Sequence, residues 1–454
     1  MSTARLAMMV AFGAFMLLLS ACGAGEGSPE SSSSDPGSTT SQSSTASAPE
    51  SVPTSGAPEA YLIVSDLPEE HLYVIAMPSG EIIETFDHVE LVAHTGVITL
   101  PDGRVLFADG HDDVLRVLDL QAEGGPALVA SAPLASGQAW SAVDPAFRYY
   151  AGSSRTETEA IVDVVDLETM EAAQLRLPVT ESGETHVALG GTPLSAFVWA
   201  AGTLYAYPVE AIMAGTATDP TATFETGPGA HSQVLSLEDD ILWTSLPDEL
   251  LGVRIEGNTF GETLTIPWNV DGREGGRVGR MRLSYDGRHI YGALAASVPA
   301  EGWVNRENDV HVADLGGLLA KRMPLHLGIT GRAAIAEPYA FFYSIHPEGD
   351  EAILVDTDDS SATFQQIVAR IPLTPLASGP VVGESASGTN LRGGTITPDG
   401  RWAFVSNGGE GTISVISTAE RAVISTITLP TPLAGGGLLV AWNPGAPLVD
   451  LLGR

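Results

Sequence analysis

The runs Gly394-Thr-Ile-Thr-Pro-Asp-Gly-Arg-Trp-Ala-Phe-Val-Ser-Asn407, Gly411-Thr-Ile-Ser-Val-Ile-Ser417 and Ala422-Val-Ile-Ser-Thr-Ile-Thr-Leu429 stand close together near the end of the chain. Apolar and small polar residues alternate within them, which is the period of a strand. Pro398-Asp-Gly400 is a hairpin turn between the first two runs. A glycine-rich loop and a short turn follow, so the unit reads as strands A, B, C and D of one antiparallel sheet. Outward from it, the A–B turn recurs at Leu100-Pro-Asp-Gly103, Val143-Asp-Pro-Ala-Phe147, Gly191-Thr-Pro-Leu194, Leu237-Glu-Asp-Asp240, Ser284-Tyr-Asp-Gly287 and Ile345-His-Pro-Glu-Gly349. Successive copies lie roughly 43 to 62 residues apart, the scale of one four-stranded repeat.

Such a repeat resembles the YVTN-type, quinoprotein-like propeller blade, which implies an all-β fold of radially arranged sheets. Tyr61–Val64, Leu72–Ile75 and Glu81–Phe86 read as strands B, C and D with no A before them, and Leu438–Trp442 as an A strand with nothing after it. Joined, they close one blade from both termini and remove the open sheet edges. Seven internal A–B turns then give eight blades; seven stays open, because Ile329 to Pro380 is irregular. The propeller is assigned to residues 59–446, with 447–454 as a C-terminal tail.

Ahead of it, Arg5 and the apolar run Leu6–Leu19 read as an export signal, too short to span a membrane. Leu19-Ser20-Ala21-Cys22 resembles a bacterial lipobox. The resemblance implies a cleaved signal peptide, residues 1–22, with the thiol of Cys22 acylated as a membrane anchor. Cys22 is the only cysteine, so an intramolecular disulfide and a thiolate metal site are both excluded. Residues 23–58, rich in Ser, Pro, Gly and Thr, have too little apolar surface to fold and read as a disordered tether. The expected location is extracytoplasmic, in the periplasm or on the cell surface, and a monomer is expected.

The formal charge is −35, from 56 acidic and 21 basic residues. Nucleic acid is excluded as a partner, since phosphate binding needs a basic face. Signatures of catalysis are missing: no Gly-x-Ser-x-Gly elbow, no His-Glu-x-x-His and no phosphate-cradling loop. The chain is expected not to be an enzyme.

Chemistry concentrates instead where strand A is entered, near the axis on the face shared by the D–A and B–C loops. His94, His186 and His231 each stand seven residues before their A–B turn position, Pro101, Pro193 and Glu238. His111 lies in a B–C loop on that face, in Asp109-Gly-His-Asp-Asp113. Imidazoles and carboxylates without thiolates suit a divalent metal such as zinc, so His94, His111, His186, His231, Asp109 and Asp112 are the candidate ligands. Trp140, with Gln138 at the rim position of its blade, and Arg277, Arg280 and Arg392 are candidate ligand-binding groups at the same mouth. The remaining histidines share no register or lie elsewhere; His346 in particular is placed in an A–B turn, on the opposite face.

From Glu184-Thr-His186 through Gly227-Pro-Gly-Ala-His231 to Gly252-Val-Arg-Ile255, the sequence resembles the AztD-type zinc chaperones, extracytoplasmic propellers that deliver zinc to the solute-binding protein of an ABC transporter. The resemblance implies zinc as the metal and His186 and His231 as ligands. A further family histidine, at the head of the next blade, is replaced here by Gly276-Arg277-Val278-Gly279. The expected function is storage or delivery of zinc by a lipid-anchored metallochaperone; the alternative is a metal-free envelope scaffold that binds a protein or ligand on one rim.

Overall fold

The computed structural model describes residues 57–445, apart from 92–96, 139, 180–183, 228, 237–238, 271, 273–276, 297 and 332. Cys22, the signal, the tether up to residue 56, the tail and His94 lie outside the described residues. So do the side chains of Arg277 and Arg280.

The described chain forms eight antiparallel sheets, each running outward from A to D, and the A strands of neighbouring sheets touch around a ring. This is the eight-bladed alternative. Blade one is built from both ends of the described chain: A is Leu438–Trp442, B is Ala60–Asp66, C is His71–Met77 and D is Glu81–Asp87. Ile63 stands opposite Val440 in the closing pair. The indole N–H of Trp442 donates to the carbonyl of Leu100 in the first turn of blade two, at 3.1 Å. That turn needs its glycine. Gly103 has φ +89°, and a Cβ there would meet the Gln121 side chain at 2.9 Å.

Period-two alternation explains how blades stack. On strand B of blade one, Leu62 and Val64 pack with Phe404 and Ile413 of blade eight. Tyr61 and Ile63, pointing the other way, pack with Val105 and Phe107 of blade two. Inner strands are therefore buried on both faces and read as nearly continuous apolar runs. Outer D strands such as Glu81–Asp87 and Ala422–Thr428 face water and carry the polar residues.

Blade seven departs from the expected pattern. Its A strand is split into Ile329–Thr330 and Ala334–Ile335, both paired with strand B, Tyr339–Ile345. The A–B turn is at Glu337-Pro338, and Ile345-His-Pro-Glu-Gly349 joins B to C. Both are antiparallel hairpins with the same turn chemistry, so turn residues alone cannot say which pair of strands they join. The correction moves His346 to the face that carries the other loop histidines.

Candidate metal centre

Three loops of that face meet between blades one and two. Glu70 comes from the B–C turn of blade one, His88 follows its D strand, and His111 comes from the B–C turn of blade two. One ligand atom from each lies within 4.8 Å of the other two. His111 Nδ1 is 3.2 Å from Glu70 Oε2 and His88 Nδ1 is 3.7 Å from the same oxygen. The imidazole centroids are 5.6 Å apart. The His111 Nδ1 is buried and makes no hydrogen bond despite its nearness to the carboxylate. Two imidazoles and one carboxylate are a donor set that zinc accepts while keeping a fourth position open. Glu70 and His88 adopt φ of +54° and +59°, a left-handed conformation that costs non-glycine residues about 1–2 kcal/mol each.

Asp109 and Asp112, expected as ligands, hold the loop instead. Asp109 Oδ1 accepts from the backbone N–H of Glu90 and of His111, each at 3.0 Å, and its Oδ2 accepts from Arg116 Nε at 3.0 Å. Asp112 is paired with the far end of the same guanidinium. A carboxylate with both oxygens engaged inside the fold is a positioning group: Asp109 ties the segment after His88 to the turn that carries His111.

A second cluster gathers where strands A of blades three, four and five begin, at Trp140, His186 and His231. Glu184, in the loop before His186, puts one oxygen between the imidazoles, 3.2 Å from His186 Nε2 and 3.5 Å from His231 Nε2. Trp140 stacks on His186 with centroids 3.9 Å apart and meets His231 edge-on at 5.7 Å. Burial by itself would raise the Glu184 carboxyl; the hydrogen bond with His186, the two imidazoles and a hydrogen bond from Trp140 overcome it and bring the pKa down to about 2. His186 is 2% exposed, and its Nδ1 is buried with no partner.

The shared register thus brings His186 and His231 together, while His111 joins Glu70 and His88. Trp140 is a wall and hydrogen-bond donor of the inner cluster. Gln138 donates to Asp163 at 2.6 Å. Arg392, expected at the rim, is buried, and its five N–H groups meet Asp350, Asn407 and the carbonyls of Ser406 and Thr374. It is committed to the fold, joining blades seven and eight. His311 lies inside blade six, where burial drives its pKa down to about 3 and keeps it neutral. His326 and His346 meet ring to ring at 4.9 Å.

Sequence reasoning missed Glu70, His88 and Glu184. For Glu184 a signal existed, since it stands two residues before a registered histidine. Glu70 and His88 had none, because 17 residues separate them and the proximity arises from the turn of one blade against the next.

The fold and these clusters define a class: an eight-bladed propeller with histidine–carboxylate groups on one face. Neither family models nor curated proteins match the sequence. Solved structures do. AztD from Citrobacter koseri superposes with a TM-score of 0.59 at 11% identity, over 84% of this chain and 98% of that one. The apo form of AztD gives 0.57 at 12% identity, with the same coverage. Dihydro-heme d1 dehydrogenase NirN in complex with DHE gives 0.57 at 17%, over 87% of this chain and 78% of that one. At such identities the likeness is one of fold.

Proposed function

We propose that this chain is a lipid-anchored extracytoplasmic propeller that binds a divalent cation, zinc in particular, as cargo and passes it to the solute-binding protein of a transporter. The observation that carries the reading is the convergence of Glu70, His88 and His111 from three loops, with donor atoms within 4.8 Å of one another. Softness and geometry favour zinc: two imidazoles and a carboxylate suit it better than calcium or magnesium, which take oxygen ligands. Cargo must also leave. With 79% of its side chain exposed, His88 is a ligand that a partner can reach. The inner cluster of Glu184, His186 and His231 supports the same reading as a deeper donor set, where Trp140 excludes water.

The test is a zinc titration of the untagged chain from residue 24, against a competing chelator. Binding tighter than micromolar is expected, with one equivalent lost in His88→Ala/His111→Ala. The His186→Ala/His231→Ala variant reports on the inner cluster in the same assay. If neither double variant changes the affinity or the stoichiometry, the reading is wrong.

A further inference from the structure

Arg306 immediately precedes strand C of blade six, Glu307–Asp314, on the face that carries the histidine clusters. The residue is 8% exposed, and its Nε is buried without a hydrogen-bond partner. Among the described residues no carboxylate pairs with it, and burial lowers its pKa with nothing to oppose the shift. Two guanidinium groups equally hidden elsewhere are closed by an aspartate, Arg322 by Asp309 and Arg392 by Asp350, both at 2.6 Å, and a third, Arg282, donates to the carbonyl of Met281 at 2.9 Å. Scarcity is no explanation in a chain with 56 acidic residues. Burying a charge without a counter-ion is destabilising, and an anion from outside the chain would offset that cost.

The surroundings continue the pattern. Val310 and Val312 of blade six pack with Phe342 of blade seven. By alternation, Arg306 and Asn308 share the face of Val310, and Ser344 shares the face of Phe342. Ser344 stands opposite Thr330 in the sheet. Asn308 Nδ2 and the N–H of Gly328 both bond to the Arg306 carbonyl, at 3.1 and 2.9 Å, which ties the start of strand C to the entry of blade seven. Asn308 Oδ1, Thr330 Oγ1 and Ser344 Oγ are buried without partners as well. By alternation and pairing, one face of the seam between blades six and seven therefore carries Arg306, whose Nε has no partner, and two hydroxyls without partners.

We infer that the seam between blades six and seven binds a small carboxylate anion, held by the Arg306 guanidinium and by the hydroxyls of Thr330 and Ser344. A planar guanidinium matches a carboxylate in a two-point bond. A single cation balances one carboxylate head, and the flat two-point bond favours a planar carboxylate over a tetrahedral oxyanion. With Arg306 only 8% exposed, the group is too hidden to be met by a folded partner. The inference is independent of the metal reading.

The probe is succinate, titrated into wild type and Arg306→Met at constant ionic strength, against chloride and sulfate, with Tm as the readout at one scan rate. Methionine keeps the stem volume and removes the charge. Without succinate, Arg306→Met is expected to melt about 2 °C or more above wild type, since a desolvated charge is gone. With succinate, wild type is expected to gain Tm and the variant not to. Thr330→Val/Ser344→Ala keeps the charge and is expected to blunt the response. Equal succinate responses in wild type and Arg306→Met would overturn the site, and so would no response in either. A sulfate response as large as that of succinate, and dependent on Arg306, would overturn the carboxylate assignment.

Discussion

At the residue scale, one carboxylate oxygen between two imidazoles recurs in both clusters, with different surroundings. Glu70 and Glu184 are equally exposed, each at 25% of the side chain, but Glu184 also accepts a hydrogen bond from Trp140 and its pKa is strongly lowered. The sign of the resulting pH dependence is fixed. A folded pKa near 2 against an unfolded value near 4.3 means that ionised Glu184 stabilises the fold above about pH 4.3. That stability is lost as pH falls towards about 2. Glu184→Gln is therefore expected to lower the urea midpoint at pH 7, with a gap to wild type that closes between about pH 4 and pH 2. An equal gap at pH 7 and pH 2.5 would remove the ionic role. Asp109 acts through the loop it holds. Its replacement by Ala is expected to weaken zinc binding at the outer triad by about 10- to 100-fold, as loss of supporting hydrogen bonds does at other metal sites. The number of bound equivalents should stay the same, which separates positioning from ligation in a chelator competition.

At the element scale, the closing strand Leu438–Trp442 decides whether the ring is shut. Its Trp442 is 1% exposed and sits in the core shared by blades one and two. Trp442→Ala is expected to cost about 3–5 kcal/mol, read from chemical denaturation. A smaller loss would mean that the N-terminal three-strand sheet holds without its fourth. The element scale is also where reading and structure part. Every strand of blade eight was legible, because its alternation and its Pro-Asp-Gly turn agree. Blade seven was misread by one hairpin, because strand A there is two fragments of two residues each, too short to show a period. The assignment of His346 to a face followed the misreading.

At the scale of the whole molecule, net charge and the proposed metal cargo act together. A chain at −35 repels itself and attracts cations. Raising NaCl from about 20 to about 200 mM shortens the Debye length severalfold and is expected to raise the Tm of the metal-free protein. Zinc at a hundredfold excess over its Kd should add about 2.7 kcal/mol of stability if it binds the folded form alone. That gain should disappear on chelation and fall in His88→Ala/His111→Ala. A Tm unmoved by zinc would argue against a folded-state site.

The sequence by itself determined the all-β repeat, the blade length and the closure by strands from opposite ends. It also put His186 and His231 at the head of neighbouring blades. These are properties of local period and register, written along the chain. Only the tertiary structure decided which donors meet. Glu70, His88 and His111 converge because blade one packs on blade two, and Asp109 meets Arg116 and two backbone N–H groups. Arg306 was left without a carboxylate for the same kind of reason. Charge pairing is settled by distances across seams between blades, which no spacing along the sequence records.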